Sequence, residues 1–292
     1  MIKMRILLIT TNLHHKNLGA LRKYKNIKID EIHVNQGLDK LDLSQYNCIY
    51  SPVYPICVEN FSSRFLFGPH FSVFPEQDKC DLITYKNKKT SYVILSDWVK
   101  KYFFVPMTQH FKLEDVPFGV DTDTFKETLP IQERQNVFIY YKRRDPHELE
   151  FVKKFLDSKG IQYKLFNYQT RYHEKDYIDC LASSKYGIWI GSHESQGFAL
   201  QEALSSNVPL LIWNVRSMHQ EYKSSYQYIP ATTIPYWDER CGEYFYERDE
   251  FETVFDKFVK KIETYQPRQY VLENLSIDVC EKKFMDMINR IE

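Results

Sequence analysis

Residues 191–214 have the sequence GSHESQGFALQEALSSNVPLLIWN, and the apolar run 186–190 comes directly before them. The apolar run predicts a buried strand, the polar glycine-bearing stretch 191–197 a loop, and the following residues, Phe198–Ser205, a helix. The second apolar run, 209–213, predicts another buried strand. Strand, loop, helix, loop and strand in this order are the repeating unit of a parallel α/β sheet.

The same alternation extends over the rest of the chain, with few hairpin signals between the apolar runs. Further strands are predicted at 4–9, 29–34, 48–50, 65–67, 82–85, 92–95, 137–141 and 162–166, and helices at 18–24, 146–158, 175–184, 249–265 and 275–291. A loop with proline and glycine at 117–121 precedes the charged stretch 126–135, which carries no strand signal. We therefore predict two Rossmann-like parallel-sheet α/β domains facing a cleft: residues 1–117, on which the C-terminal helix 275–292 packs back, and residues 118–274.

The composition limits the partners of the protein. With 39 Lys and Arg against 39 Asp and Glu, the chain has no global charge that would attract nucleic acid or an anionic membrane. The longest N-terminal apolar run, 6–9, is too short for a signal peptide or a membrane span. We therefore predict a cytoplasmic protein with no nucleic-acid partner and no transmembrane segment, and peripheral contact with a membrane remains compatible with the sequence. The six cysteines lie far apart, without a C-x-x-C pair, which favours reduced thiols over a zinc site.

The loop before Phe198 has the properties of a diphosphate site. The first turn of a helix presents backbone N–H groups without intrahelical partners, and the helix dipole adds about half a positive charge there. Gly197 lets the backbone approach a ligand closely, since no Cβ intervenes. Glu202 lies about 6 Å farther along the helix axis than Phe198, where a carboxylate can accept hydrogen bonds from both hydroxyls of a ribose.

Glu194 and Glu202 are spaced E-x7-E, with Gly197 between them and Pro209 at the start of the next strand. Two glutamates at this spacing are common on solvated helix faces, but the strand-loop-helix-loop-strand frame favours a functional pair. The segment resembles the E-x7-E signature of GT-B glycosyltransferases of the family-4 type. It departs from the usual pattern at Ser195-Gln196, where Gly-Phe is common, and at Asn207, where Gly is common.

The resemblance implies a role for each residue of this segment. Glu194 is expected to bind hydroxyls of the donor sugar, the backbone amides after it to hold sugar and diphosphate, and Glu202 to bind the ribose. His193, adjacent to Glu194, is expected to line the same site. The donor-binding residues implied outside the catalytic set are therefore His193, Ser195, Gln196, Gly197, Phe198, Ala199 and Glu202.

Three further segments are similar to segments of the family, and they follow one another in the same order as in the family. Residues 96–100, Ser-Asp-Trp-Val-Lys, resemble a motif late in the family's first domain. Residues 117–121, Pro-Phe-Gly-Val-Asp, with Phe125 after them, resemble the start of the second domain. Residues 235–242 resemble the stretch before the last helices. The resemblance thus covers most of the chain.

The basic run Lys142-Arg143-Arg144 follows the predicted strand 137–141, at the end of the sheet where open α/β sheets bind ligands. It resembles the family's cations that neutralise the departing diphosphate. We assign that catalytic role to Lys142 and Arg144, which alternate to the same side of an extended segment, and place Arg143 in the donor site. The alternative is a surface basic cluster that binds no ligand.

Two other positions are candidates by resemblance. His70 follows the predicted strand 65–67, where the family often has a histidine that touches the donor sugar, and a structural surface histidine is the alternative. Residues 167–171 follow the predicted strand 162–166 and are a candidate base-contacting loop. The resemblance therefore implies a catalytic set of Glu194, His70, Lys142 and Arg144.

Together these features predict a retaining, metal-independent glycosyltransferase that moves a sugar from a nucleoside-diphosphate sugar to a glycan, lipid-linked or protein acceptor. The leaving diphosphate itself would accept the acceptor's proton. No cofactor and no metal is expected, and Asp121-Thr122-Asp123 is assigned no metal because it lies in the linker match. The alternatives are a nucleotide-sugar epimerase or a phosphorylase on the same fold, and a non-catalytic protein that binds a nucleotide-sugar.

Overall fold

The computed structural model describes residues 3–10, 13–33, 37–53, 56, 58, 61–69, 89–103, 112–170 and 172–292. The chain divides into two compact units, which are Met1–Gly119 with Leu275–Glu292 (unit 1) and Val120–Asn274 (unit 2). His70, Arg171 and the predicted strand 82–85 lie outside the described residues. None of the described helices is long and apolar enough to cross a bilayer.

Unit 1 contains a six-stranded sheet in the order β2-β1-β3-β4-β5-β6, and its neighbouring strands pair in parallel. The strands are β1 Met4–Thr10, β2 Ile27–His33, β3 Cys48–Ser51, β4 Phe65–Phe67, β5 Thr90–Ile94 and β6 Lys112–Asp115. Its helices are α1 His15–Arg22, α2 Asp97–Phe103 and α8 Ile277–Asn289. The central strands β3, β4 and β5 are buried along their whole length, which is why they are continuous apolar or small-residue runs in the sequence.

The C-terminal helix α8 belongs to unit 1. Its Phe284 ring lies 5.6 Å from the ring of Tyr50 on β3 and 5.8 Å from that of Tyr24. Glu281, also on α8, is buried and accepts hydrogen bonds from the backbone N–H and the side-chain amide of Asn26. Aromatic packing and a buried, hydrogen-bonded carboxylate therefore hold the last helix against the first sheet.

Unit 2 contains a five-stranded sheet in the order β11-β10-β9-β7-β8, again with parallel neighbours. The strands are β7 Asn136–Lys142, β8 Lys164–Asn167, β9 Ser184–Gly191, β10 Leu210–Trp213 and β11 Gly242–Phe245. The helices are α3 Pro146–Ser158, α4 Glu174–Ser183, α5 Phe198–Ser205, α6 Phe251–Lys260 and α7 Pro267–Asn274. Two parallel-sheet α/β units confirm the predicted fold class.

The two faces of the unit 2 sheet are packed differently. Residues at alternate positions, such as Ile139, Ile188 and Leu211, face a core completed by Val152 of α3 and Phe255 of α6. On the opposite face the Tyr140 ring stacks on Trp189 at 3.9 Å, and Tyr177 of α4 meets Tyr140 edge-on at 6.0 Å. Tyr140 of β7, Trp189 of β9 and Tyr177 of α4 therefore form an aromatic cluster on this face of the sheet.

Candidate functional site

The candidate site lies where β7 and β9 end side by side. The two strands are parallel neighbours, and Lys142, the last residue of β7, is in register with Gly191, the last residue of β9. The backbone N–H of Ser192 donates to the Lys142 carbonyl at 2.9 Å. The backbone N–H of Glu194 donates to the Thr232 carbonyl at 3.0 Å, so the loop after β9 is fixed on both sides.

An ion pair joins the two sequence motifs. Lys142 Nζ lies 2.7 Å from Glu194 Oε1, and the two side chains are only 18% and 12% exposed. Lys142 Nζ also lies 4.9 Å from the centre of the Tyr168 ring, a cation–π contact. The structure thus brings the first glutamate of the E-x7-E pair to the first cation of the basic run, 52 positions earlier in the chain.

The loop that carries Glu194 reaches helix α5 through Gly197. This residue has φ +81° and ψ 52°, a left-handed conformation that glycine adopts without steric cost, and α5 begins at the next residue. Buried Gln196, which stands where the family usually has Phe, donates to Gln201 Oε1 at 3.2 Å and accepts from Gln201 Nε2 through its carbonyl at 2.8 Å. The departure from the family pattern is therefore matched by an amide pair that ties the loop to the helix.

The other predicted donor-binding positions follow on α5. Ser195 in the loop and the first two residues of the helix, Phe198 and Ala199, are partly exposed. The Ala199 carbonyl accepts a hydrogen bond from the hydroxyl of Tyr177 at 2.8 Å. The start of α5 is therefore reachable from solvent, whereas α4 fixes its inner side.

Glu202 is buried, with 4% of the residue exposed. It lies on the second turn of α5, between Gln201 and Ala203, which are also buried. Burial raises the pKa of the Tyr177 hydroxyl well above its ordinary value, and the negative charge of Glu202 is among the smaller contributions to that rise. Glu202, the second glutamate of the E-x7-E pair, therefore lies near Tyr177 of the aromatic cluster.

The three residues of the basic run have different environments. Arg143 has φ +51°, and its half-exposed guanidinium donates to Glu221 Oε1 at 3.0 Å. Arg144 is buried. It donates to the carbonyls of Gly191 at 3.2 Å and Trp213 at 3.1 Å and to Glu148 Oε1 at 2.6 Å.

These contacts correct one prediction. The run was expected to be extended, with Lys142 and Arg144 on the same side, and this is wrong because Arg143 leaves the extended region. Arg144 instead turns into unit 2 and binds the carbonyl ends of two strands. Its guanidinium bridges the carboxyl ends of β9 and β10 and is buried, whereas the Lys142 side chain is 18% exposed.

His193 is also buried at the site. Its ring packs edge-on against Tyr226 at 5.5 Å, and its Nε2 lies 3.8 Å from Glu221 Oε2. Burial lowers the pKa of His193 to about 4, with smaller contributions from the charges of Lys142 and Arg143. The imidazole is therefore neutral at pH 7, and its contact with Glu221 is not an ion pair there.

Sequence reasoning missed two carboxylates of this site. Glu148 pairs with Arg144 at i,i+4 on the first turn of α3, a spacing that can be recognised in the sequence. Glu221 pairs with Arg143 from 78 positions away, which no local pattern signals. Each of the three cations of the basic run consequently has its own carboxylate partner: Lys142 has Glu194, Arg143 has Glu221 and Arg144 has Glu148.

The candidate base-contacting loop and the Asp121-Thr122-Asp123 segment also belong to unit 2. In the loop 167–170 the Asn167 side chain accepts from the backbone N–H of Gln169 at 3.0 Å, and Tyr168 is 45% exposed beside Lys142. Asp121 accepts from the backbone N–H groups of residues 123 and 124 at 3.3 and 3.2 Å, which gives this carboxylate a turn-forming role. Within the described ranges no three His, Cys, Asp or Glu side chains group as a metal site.

Comparison with known proteins gives the fold a name. No protein-family model and no curated protein matches this sequence. The N-terminal domain of trehalose-6-phosphate phosphatase from Candida albicans matches 98% of this chain and 96% of its own, with a TM-score of 0.62 and 12% identity. Sucrose-phosphate synthase from Thermosynechococcus elongatus matches 98% of both chains, with a TM-score of 0.55 and 9% identity. The fold is GT-B.

A third solved structure is similar over a smaller share of both chains. The catalytic domain of starch synthase IV from Arabidopsis thaliana, bound to ADP and acarbose, matches 83% of this chain and 72% of its own, with a TM-score of 0.56 and 9% identity. At these identities the likeness concerns the GT-B fold itself. What the fold does in this protein has to be argued from its own residues.

Proposed function

We propose that this protein is a glycosyltransferase whose unit 2 binds a nucleoside-diphosphate sugar. The observation that carries the proposal is the placement of Glu194 and Lys142 at one sheet edge, directly before α5, with Glu202 on the next turn of that helix. The carboxyl end of a parallel sheet is where open α/β folds bind ligands. The structural likeness to a starch synthase bound to ADP supports the same class of ligand.

In this proposal the diphosphate binds between Lys142 and the first turn of α5. Lys142 supplies a full positive charge, and the helix N-terminus supplies backbone N–H groups and about half a positive charge more. Gly197 leaves the path to those N–H groups free of a side chain. The site therefore offers a lysine and a helix N-terminus to a diphosphate in a chain whose total charge is zero.

The two glutamates would bind the two ends of the donor. Glu194, partly exposed at the loop, would accept hydrogen bonds from hydroxyls of the sugar. Glu202, buried on α5, would accept hydrogen bonds from the ribose. A charged acceptor in a buried position makes stronger hydrogen bonds than one in water, so Glu202 would contribute much of the affinity.

The proposed reaction is transfer with retention and without a metal. The bond between the anomeric carbon and the diphosphate oxygen breaks, the acceptor oxygen bonds to the same face of the sugar, and the departing diphosphate takes the acceptor's proton. Lys142 would stabilise the negative charge that develops on the diphosphate. The acceptor, a glycan, lipid-linked sugar or protein, would be held by unit 1.

A thermal-shift screen against UDP-, GDP-, ADP- and dTDP-sugars tests the proposal. A ligand that binds the folded state raises the melting temperature, and we expect one base to do so more than the others. Release of nucleoside diphosphate is then measured with and without acceptors. An epimerase would change the sugar without net release, and a binding protein would show the shift without turnover. A protein that responds to none of the four donor classes would contradict the proposal.

A further inference from the structure

The starting observation is the charge balance of the basic run. Lys142, Arg143 and Arg144 each have their own carboxylate partner, so the ligand-free site has no surplus positive charge from these three residues. A diphosphate that binds one of these cations therefore competes with its carboxylate partner. The ion pair that opens therefore determines the relative affinities of the site for different ligands.

Of the two cations that the resemblance assigns to the diphosphate, Lys142 and Arg144, the contacts favour opening of the Lys142 pair. Arg144 is buried and bound to two backbone carbonyls as well as to Glu148, so its release would expose several polar groups. Lys142 contacts the Glu194 carboxylate and the face of Tyr168 through a flexible side chain. Its ammonium can turn from one anion to another without disturbing the sheet edge.

We infer that Glu194 is an internal counter-ion of Lys142 that a diphosphate displaces, and that this exchange makes the site prefer the sugar-bearing donor over the free nucleoside diphosphate. The inference rests on the proposed function. When a donor binds, the carboxylate that loses Lys142 gains the hydroxyls of the sugar. When the product nucleoside diphosphate is bound without a sugar, Glu194 has lost its cation and faces the anionic diphosphate.

Because the Lys142–Glu194 pair is largely buried, separating its two charges has a substantial free-energy cost. A charge pair 2.7 Å apart, with both side chains less than one-fifth exposed, is screened by water far less than a surface pair. Removing one partner from such a pair leaves a poorly solvated charge, which is costly. In the product complex Glu194 has no partner in place of Lys142, whereas in the donor complex the sugar hydroxyls replace it. The exchange of partners therefore favours release of the product after transfer.

The experiment measures binding of UDP, GDP, ADP and dTDP, without sugar, by isothermal titration calorimetry. Glu194→Gln keeps a hydrogen-bonding side chain but removes the counter-ion, and we expect it to bind the preferred nucleoside diphosphate about tenfold more tightly than wild type. Affinity for the matching nucleotide-sugar should rise less, so the preference for the donor over the product narrows. Glu243→Gln is the matched control, because Glu243 also lies 2.7 Å from a lysine, Lys257, and its loss changes the net charge equally.

A double variant tests whether Lys142 carries the effect. On a Lys142→Gln background, Glu194→Gln should tighten binding clearly less than in the presence of Lys142, since no ion pair is left to break and only the repulsion between Glu194 and the diphosphate is removed. If Glu194→Gln alone is poorly folded, the double variant carries no unpaired charge of this pair, and its ratio of donor affinity to product affinity should still be smaller than that of wild type.

The outcomes separate this inference from the proposed function. If wild type binds no nucleoside diphosphate and no nucleotide-sugar, the proposed function fails. If wild type binds them but Glu194→Gln binds the nucleoside diphosphate no more tightly, the counter-ion role is overturned and the proposed function stands. Equal tightening in Glu243→Gln, or tightening that is undiminished without Lys142, would likewise overturn the exchange.

Discussion

Glu194 Oε1 lies 2.7 Å from Lys142 Nζ, so the loop after β9 is joined to the end of β7 by opposite charges. If Lys142 is the cation that meets the diphosphate, Lys142→Met should weaken binding of the preferred nucleotide-sugar by about 10- to 100-fold, the usual worth of a charge-assisted hydrogen bond. Calorimetry gives the affinity. Lys257→Met removes a cation from an ion pair of the same length and should leave affinity unchanged. Equal weakening in both variants would count against a specific contact.

The buried guanidinium of Arg144 leads to a prediction about stability. Arg144→Met would leave the carbonyls of Gly191 and Trp213 and the carboxylate of Glu148 without this donor. We expect the free energy of unfolding to fall by about 3 to 5 kcal/mol, as for other buried pairs that lose one partner. Chemical denaturation measures it. Lys175→Met, which removes one partner of the exposed Lys175–Asp179 pair, should cost much less, and an equal loss in the two variants would contradict the structural role of Arg144.

The proposed contact between Glu202 and the ribose leads to a prediction about nucleotide affinity. Glu202→Gln keeps the size of the buried side chain and removes its charge, so it should weaken nucleotide binding by about 1 to 3 kcal/mol. Calorimetry with the nucleoside diphosphate and the nucleotide-sugar should show the same loss for both, because the ribose is common to them. Unchanged affinity for every ligand would remove Glu202 from the site.

His193 gives the folded state a pH dependence. Its pKa is lowered from 6.5 to about 4, so the unfolded chain binds more protons than the folded one between these values. Stability contributed by the neutral imidazole is therefore present above pH 6.5 and is lost as the pH falls toward 4, by at most about 3 kcal/mol. His193→Gln should flatten the stability profile in this window, relative to wild type. His147→Gln, at an exposed position, should leave the profile unchanged.

Helices with strong local signals could be predicted from the sequence. The bounds of α3 are confirmed, because Pro146 at its start, the Asp145 cap and the spacing of its apolar residues all agree. The bounds of α5 are also confirmed, because Gly197 marks the turn directly before its first residue. By contrast, β6 and β11 were missed, because they are four-residue edge strands, KLED and GEYF, without an apolar run.

The candidate site was predictable only in part. The E-x7-E spacing and the basic run drew attention to Glu194 and Lys142, and the parallel register of β7 and β9 brings them together. The path of the chain after Lys142 was not predictable, because nothing in Lys-Arg-Arg signals the positive φ of Arg143. The role of Glu221 was not predictable either, because its pairing with Arg143 depends on the course of a loop 78 positions later in the chain.

The proposed sugar transfer is tested most directly by release of nucleoside diphosphate from UDP-, GDP-, ADP- and dTDP-sugars by the purified protein. Wild type should cleave at least one donor, faster when its acceptor is present. Lys142→Met and Glu202→Gln should lower the rate while their thermal unfolding shows folded protein. A folded wild type that releases no nucleoside diphosphate from any of the four donors, with or without acceptors, would contradict the proposed transfer.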